Sequence, residues 1–230
     1  MKTNKDSINL YNIDCMEFMR SIPDNYYDLA IVDPPYGNDD AIDLKDTVNT
    51  IGKIHTHYAK RPKYESFENI EPDNDYFIEL KRISKNRIIW GFNYLTNLYE
   101  RSGVLVWNKN GTAFGQAELA LCTMFKSVRI YELTWNGFLK YDGADNFKRI
   151  HNTEKPTRLY EYLFSEFAKP GFKILDTHGG SMTIAIAADR MNRMNGLDLH
   201  LDVTEVNPKI YKLATERFLK VTAQQSIFDL

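Results

Sequence analysis

The sequence predicts an α/β fold with a doubly wound, mostly parallel sheet. The apolar run Leu29-Ala30-Ile31-Val32 stops at Asp33 and a turn, the pattern of a short buried strand, and the strand-like Phe172-Lys173-Ile174-Leu175 likewise stops at Asp176 and a turn. Between such runs lie segments with apolar residues three and four apart, as crossover helices have. Finally, a strand, a Gly-containing turn and a helix follow one another from Phe172 to Ala188, a unit that brings its backbone close to a nucleotide.

The chain in order supports this reading. Ile8-Asn9-Leu10-Tyr11 alternates as an edge strand, and Asp14 with Glu17 forms a capping box for a helix that buries Met16, Met19 and Ile22 and stops at Pro23-Asp24-Asn25. The strand Leu29 to Val32 follows. From about 37 to 75 no period is sustained, and acids (Asp39, Asp40, Asp43) mix with Lys53, His55, His57, Lys60, Arg61 and Lys63. A connection this long is usually functional or disordered; here it is expected to be a mobile flap whose cationic half, with Tyr58 and Tyr64, meets phosphates, although a solvated loop fits equally well.

A helix with Tyr76, Phe77, Leu80 and Ile83 inward leads to strands at Arg87-Ile88-Ile89-Trp90 and Val104-Leu105-Val106-Trp107. Glu118 to Phe125 suits a helix or a strand, and Val128 to Trp135 alternates as a strand. A second cationic stretch, Lys140 to Arg158, precedes a helix that buries Leu159, Tyr160, Leu163, Phe164 and Phe167. The glycine turn Asp176-Thr177-His178-Gly179-Gly180-Ser181 comes next, then a strand from Leu199 to Thr204 ending at Glu205, about where a ribose-gripping acid belongs. Asn207-Pro208 reads as an N-cap and first helical residue.

Bulk properties narrow the classes. With 230 residues, 43% hydrophobic, one well-packed domain is expected over 1–222. A formal net charge of −2 means that any nucleic-acid surface must be local. Cys15 and Cys122 are too few and too far apart in sequence for a disulfide framework or a zinc site, which suits a reducing cytoplasm. No run of about 18 apolar residues and no signal-peptide pattern is found.

The chemistry is expected at Asp33-Pro34-Pro35-Tyr36, where two prolines force the chain out of the sheet at a strand's carboxyl end. A carboxylate beside a rigid carbonyl suits methyl transfer to an exocyclic amine of a nucleobase. That nitrogen is a poor nucleophile because its lone pair is delocalised. Two acceptors, the Asp33 carboxylate and the Pro34 carbonyl, would favour a pyramidal nitrogen and gain strength as positive charge grows on it. Tyr36 would stack on a base swung out of the duplex.

With these residues placed, the chain resembles the β-class amino-group DNA methyltransferases, and more closely the small phage and prophage adenine methylases. The resemblance rests on Asn12-Ile13-Asp14-Cys15, Ile22-Pro23-Asp24-Asn25, Asp33-Pro34-Pro35-Tyr36, His151-Asn152-Thr153-Glu154-Lys155-Pro156, Asp176 to Ser181 and Glu205-Val206-Asn207-Pro208, with the catalytic motif first and the cofactor turn last. It implies a Rossmann-like methyltransferase fold with permuted motif order, using S-adenosyl-L-methionine without a metal. Asp33 and Pro34 would bind the target amine, Pro35 shape the loop and Tyr36 stack. Glu205 would take both ribose hydroxyls. Within the turn Asp176, Thr177, His178, Gly179, Gly180 and Ser181, it implies that His178, Gly180 and Ser181 line the methionine side. Thr153 and Lys155 would reach the methionine end, Asp14 and Cys15 would border the adenine, and Asp14 and Asn207 are equally well explained as helix caps. Lys155 also reads as a solvated surface charge.

Two features depart from that pattern. Met182 stands where the family usually has a second glycine, and His178 where it often has phenylalanine; the methionine is expected to crowd the cofactor's carboxylate end, with Gly179 relieving it. Outside the domain, Gln224-Gln225-Ser226-Ile227-Phe228 in the tail 223–230 resembles the pentapeptide that docks on the bacterial sliding clamp, although a last edge strand or a plain tail accounts for it somewhat better.

The resemblance therefore implies methylation of the adenine N6 amino group in double-stranded DNA, since aspartate at position 33 favours adenine. Cytosine-N4, RNA or protein amide are alternative acceptors. A catalytically inert DNA- or clamp-binding protein is the alternative of another class.

Overall fold

The computed structural model describes residues 1–37, 69–98, 100–110, 116–135, 150 and 154–228. Within them the chain forms β1 (Lys2–Lys5), β2 (Ile8–Tyr11), α1 (Cys15–Arg20), β3 (Leu29–Val32), α2 (Asn74–Ile83), β4 (Arg87–Trp90) and β5 (Gly103–Asn108). It continues through β6 (Ala117–Cys122), β7 (Val128–Glu132), α3 (Thr157–Phe167), β8 (Lys173–Asp176), α4 (Thr183–Asn195), β9 (His200–Thr204) and α5 (Pro208–Phe228).

The strands make one sheet in the order β1-β2-β9-β8-β3-β4-β6-β5-β7. From β2 to β4 every neighbour is parallel. β6 then runs antiparallel to both β4 and β5, and β7 lies parallel to β5. The expected doubly wound, mostly parallel architecture is the observed one, and its physical basis shows in β3. All four β3 residues are buried, with Leu29 and Ile31 packing into one hydrophobic cluster with α3, α4 and α5, and Ala30 and Val32 into another with α1 and α2.

Two local expectations are corrected and one left open is resolved. β2 is not an edge, because Lys2–Lys5, polar and carrying no hydrophobic signal, pairs antiparallel outside it. Glu118 to Phe125 resolves as strand β6, where pairing on both sides outweighs its helical compatibility. β7 ends at Glu132, short of Trp135.

Of the expected flap, 38–68 lies outside the described residues, as do 136–149 and 151–153 of the second cationic stretch. The flap's far end is anchored: α2 starts at Asn74, capped by the Asp73 carboxylate, which accepts from Tyr76 N at 3.1 Å. The Gln224 to Phe228 segment continues α5 instead of leaving it as a tail. Among the described residues no helix is long and apolar enough to cross a membrane.

Candidate active site

The two central strands β3 and β8 are parallel neighbours from which the chain winds in opposite directions, β3 through α2 to β4 and β8 through α4 to β9. The crevice outside the carboxyl ends at such a reversal is where open α/β sheets hold ligands. Asp33 follows β3, Asp176 ends β8, Glu205 follows β9, and Asp14 lies just beyond β2. Parallel pairing therefore delivers the four predicted acidic positions to one edge of the sheet.

At β8 and β9 the turn is held by backbone bonds to carboxylates. Gly180 N donates to Glu205 Oε2 at 2.9 Å and Asn207 N to Glu205 Oε1 at 2.8 Å. Burial raises the Glu205 carboxyl above its ordinary range, and these two N–H donors oppose the rise. Asn207 also caps α5, its side-chain oxygen accepting from Lys209 N at 3.0 Å and Ile210 N at 3.2 Å. Asp176 accepts from His178 N at 2.9 Å, yet burial pushes its carboxyl up to about 7, with Asp33 and Glu205 adding to the rise. Burial lowers His178 to about 4, so its imidazole is neutral at pH 7. Its Nδ1 lies 2.9 Å from the Thr177 hydroxyl, which in turn meets the Tyr76 hydroxyl at 2.7 Å.

The glycines of the turn serve different needs. A Cβ on Gly179 would sit 2.4 Å from Val203 Cγ1, so this position needs glycine for close packing on β9. A Cβ on Gly180 would meet nothing nearer than His178 O at 3.9 Å, which leaves space for a ligand over the turn. The expectation for Met182 is corrected. Its side chain is fully buried in the core, with Sδ 3.9 Å from the Thr215 hydroxyl of α5, while its backbone adopts φ +54°. Core packing holds this methionine in a conformation that favours glycine.

Asp14 caps α1 by accepting from Met16 N at 2.9 Å and Glu17 N at 3.0 Å, and is exposed. Burial pushes the Cys15 thiol up to about 12, so it is not a thiolate at neutral pH. Ser181 is buried, its hydroxyl 3.5 Å from that of Thr183. Thr153 lies outside the described residues.

At β3 the motif is folded on itself. The Tyr36 hydroxyl donates to Asp33 Oδ1 at 2.5 Å, and Tyr36 N donates to Asn69 Oδ1 at 3.2 Å. Burial, and then the Asp33 carboxylate, raises the Tyr36 phenol far above its ordinary value. Its ring fills the place where Gly91 lacks a side chain: a Cβ there would lie 2.0 Å from Tyr36 Cε1. Tyr94 stacks beside it with centroids 5.4 Å apart and planes inclined by 26°.

Lys155 corrects the sequence reading most. It is 4% exposed rather than solvated, and its ammonium bonds Asp33 Oδ2 and lies 3.3 Å from Glu118 Oε2. Glu118, on β6, is bonded in turn by Lys109. The two lysines lie over tryptophans, Lys155 5.3 Å from the Trp90 ring and Lys109 4.7 Å from the Trp107 ring. Burial pushes the Lys155 ammonium down, but Asp33 and Glu118 outweigh it and the net shift is upward. Burial likewise pushes Glu118 up, and Lys155 and Lys109 bring it below the usual carboxylate range. Charges thus alternate along Asp33, Lys155, Glu118 and Lys109.

One further buried pair was not anticipated. Arg217 of α5 donates to Glu154 Oε1 at 3.0 Å and Oε2 at 3.1 Å and also bonds the Ser181 carbonyl, joining the segment that carries Lys155 to the glycine turn. A helical pattern does not reveal such an arginine. Glu118 did leave a signal, an acid opening an otherwise apolar run.

Solved structures share this architecture. M1.HpyAVI in complex with S-adenosyl-L-methionine aligns with a TM-score of 0.54 and 16% identity over 91% of this chain and 99% of that one. TTHA0409 from Thermus thermophilus, complexed with S-adenosyl-L-methionine, gives 0.55 and 15% over 92% and 93%. The PvuII DNA methyltransferase, cytosine-N4-specific, gives 0.56 and 11% over 97% and 96%. At such identities the likeness speaks for the fold. A family model described as DNA methylase, of the N6/N4 type, matches residues 56–215. The chain belongs to the N6/N4 DNA methylase family.

Proposed function

We propose that the protein transfers a methyl group from S-adenosyl-L-methionine to the N6 amino group of adenine in double-stranded DNA. The observation that carries this is the meeting of Asp33, after β3, with the Gly180–Glu205 turn at the same end of neighbouring parallel strands. The residues fit the cofactor: open space over Gly180, and a buried carboxylate at Glu205 suited to a pair of ribose hydroxyls.

The cofactor supplies an electrophilic methyl group on a sulfonium. Glu205 and the turn from Asp176 to Ser181 would hold it, Lys155 would reach its methionine end, and Asp14 and Cys15 would border its adenine. The chain's own contribution to transfer is made at Asp33 and Pro34. Their oxygens accept the two N–H bonds of the target amine, so that its lone pair faces the methyl group, and bind more strongly as that nitrogen becomes positive. Tyr36 and Tyr94 offer an aromatic wall beside Asp33 for an extruded base. The segments 37–75 and 140–149 supply the basic contacts to phosphates. Docking of Gln224 to Phe228 on a sliding clamp as an extended peptide would require the last turns of α5 to unwind.

The test combines purified protein, labelled cofactor and genomic DNA with nucleoside analysis of the product. The expected product is N6-methyladenine, and Asp33→Ala slows its formation by about 10²-fold or more while cofactor affinity is kept. Label in N4-methylcytosine would transfer the reading to cytosine. Label accepted only from RNA or protein, or no cofactor binding at all, would end it.

A further inference from the structure

Asp33 has a difficulty to overcome before it can receive an amine: both of its oxygens already have donors, Tyr36 on one and Lys155 on the other. The lysine is the harder to displace. It is buried, charged and bonded to the carboxylate that must face the target, and it is a cation close to the place where the amine becomes cationic. An ammonium held only by Asp33 would therefore weaken the acceptor when it is most needed.

The structure provides the lysine with a second seat. Glu118 Oε2, on β6 two strands from β3, lies 3.3 Å from Lys155 Nζ, while the other Glu118 oxygen is held by Lys109. Register fixes this placement: Glu118 pairs with Trp107 across β5 and β6, and Trp107 meets Trp90 edge to face at 6.3 Å, so the two lysines rest over adjoining rings. The ammonium has three donors and is within reach of both carboxylates. A shift of its weight from Asp33 to Glu118 needs no change of backbone and leaves it paired.

We propose that Glu118 is a positioning residue that draws Lys155 off Asp33 as the target amine arrives, with Lys109 keeping the Glu118 carboxylate in place. The proposal rests on the reading that Asp33 accepts that amine. It assigns to β6 a task for which neither the Asp-Pro-Pro-Tyr motif nor the glycine turn has a residue: regulating how much of the Asp33 charge is available. In the resting protein Lys155 and Tyr36 keep the partly exposed Asp33 carboxylate satisfied. In the loaded protein Glu118 takes over the lysine, and the growing charge on the amine faces Asp33 with less opposition.

A double-mutant cycle in single-turnover methyl transfer tests this, at saturating cofactor and duplex DNA, with Glu118→Gln, Lys155→Met and the two combined. Melting curves and calorimetric titration with S-adenosyl-L-methionine accompany each variant. Glu118→Gln is expected to slow transfer about tenfold in the parent and by less than about twofold where Lys155 is already methionine, with cofactor affinity unchanged in the Glu118→Gln protein. Glu118→Asp, which keeps the charge, slows transfer less than Glu118→Gln. It replaces that variant in the cycle if the glutamine protein does not fold.

Losses that multiply, or a Glu118→Gln protein as fast as the parent, overturn the proposal while leaving the role of Asp33 standing. A parent that transfers no methyl group to DNA ends both.

Discussion

The two ends of the sheet meet at one crevice and contribute to it in different ways. From β2 to β4, where all strands are parallel, the site is made of turns that follow strand ends: Glu205 accepts from Gly180 N and Asn207 N, Asp176 accepts from His178 N, and Asp33 follows β3 directly. At the β6-β5-β7 end, the contributions are long charged side chains, Glu118 from within a strand and Lys109 just past one, braced by tryptophans. The first arrangement places fixed dipoles and carboxylates, as holding a cofactor requires. The second can shift charge by a small side-chain motion. On the proposed function, cofactor binding and acceptor tuning lie on separable parts of one sheet.

The strongest challenge to that separation is Arg217, which bonds both Glu154, next to Lys155, and the Ser181 carbonyl. Arg217→Met leaves a buried carboxylate without its cation. It is expected to cost about 3–5 kcal/mol in thermal or denaturant unfolding, and to weaken cofactor binding as well. A loss of stability with cofactor affinity intact in a calorimetric titration would show that the two ends do not communicate through α5.

The parallel end can be addressed through pH. In the folded protein Asp176 titrates at about 7 against an ordinary value of 3.8. A carboxyl raised in this way contributes stability that is full below the unfolded value and is lost as pH rises through the folded one. Between pH 8 and pH 4 the cofactor-free parent should gain up to about 4 kcal/mol relative to Asp176→Asn, measured as the difference between their unfolding free energies at each pH. Parallel pH profiles for the two proteins would mean that Asp176 is not destabilised by its burial.

The smallest expected effect concerns Asp14, exposed and bonded to two backbone N–H groups of α1. Asp14→Ala should cost about 1 kcal/mol, a fall of about 2–4 °C in melting temperature, with transfer at saturating cofactor unchanged. A larger loss in cofactor affinity than in stability would give Asp14 a binding role beyond its cap.

The contrast between the two ends also governs what can be read from the chain. The Asp-Pro-Pro turn, the Gly-Gly turn and the Asn-Pro cap are local devices, because each is enforced by the backbone preferences of its own residues. They locate strand ends, and parallel pairing does the rest, so the whole parallel end was legible except for β1, whose residues carry no hydrophobic pattern. Met182 marks the limit of that approach: its family position implied crowding of a ligand, and only packing against α5 reveals that its side chain belongs to the core.

Local residue preferences along the chain were thus enough to establish the fold class and to locate the Asp-Pro-Pro turn and the glycine turn with its acid. The assembled fold was needed for the charges around Asp33, since Lys155 lies 122 positions away in sequence and Arg217 lies 63 from Glu154. Burial and strand register, which no short stretch encodes, make Lys155, read from the sequence as a cofactor contact or a solvated charge, a buried partner of Asp33 and Glu118.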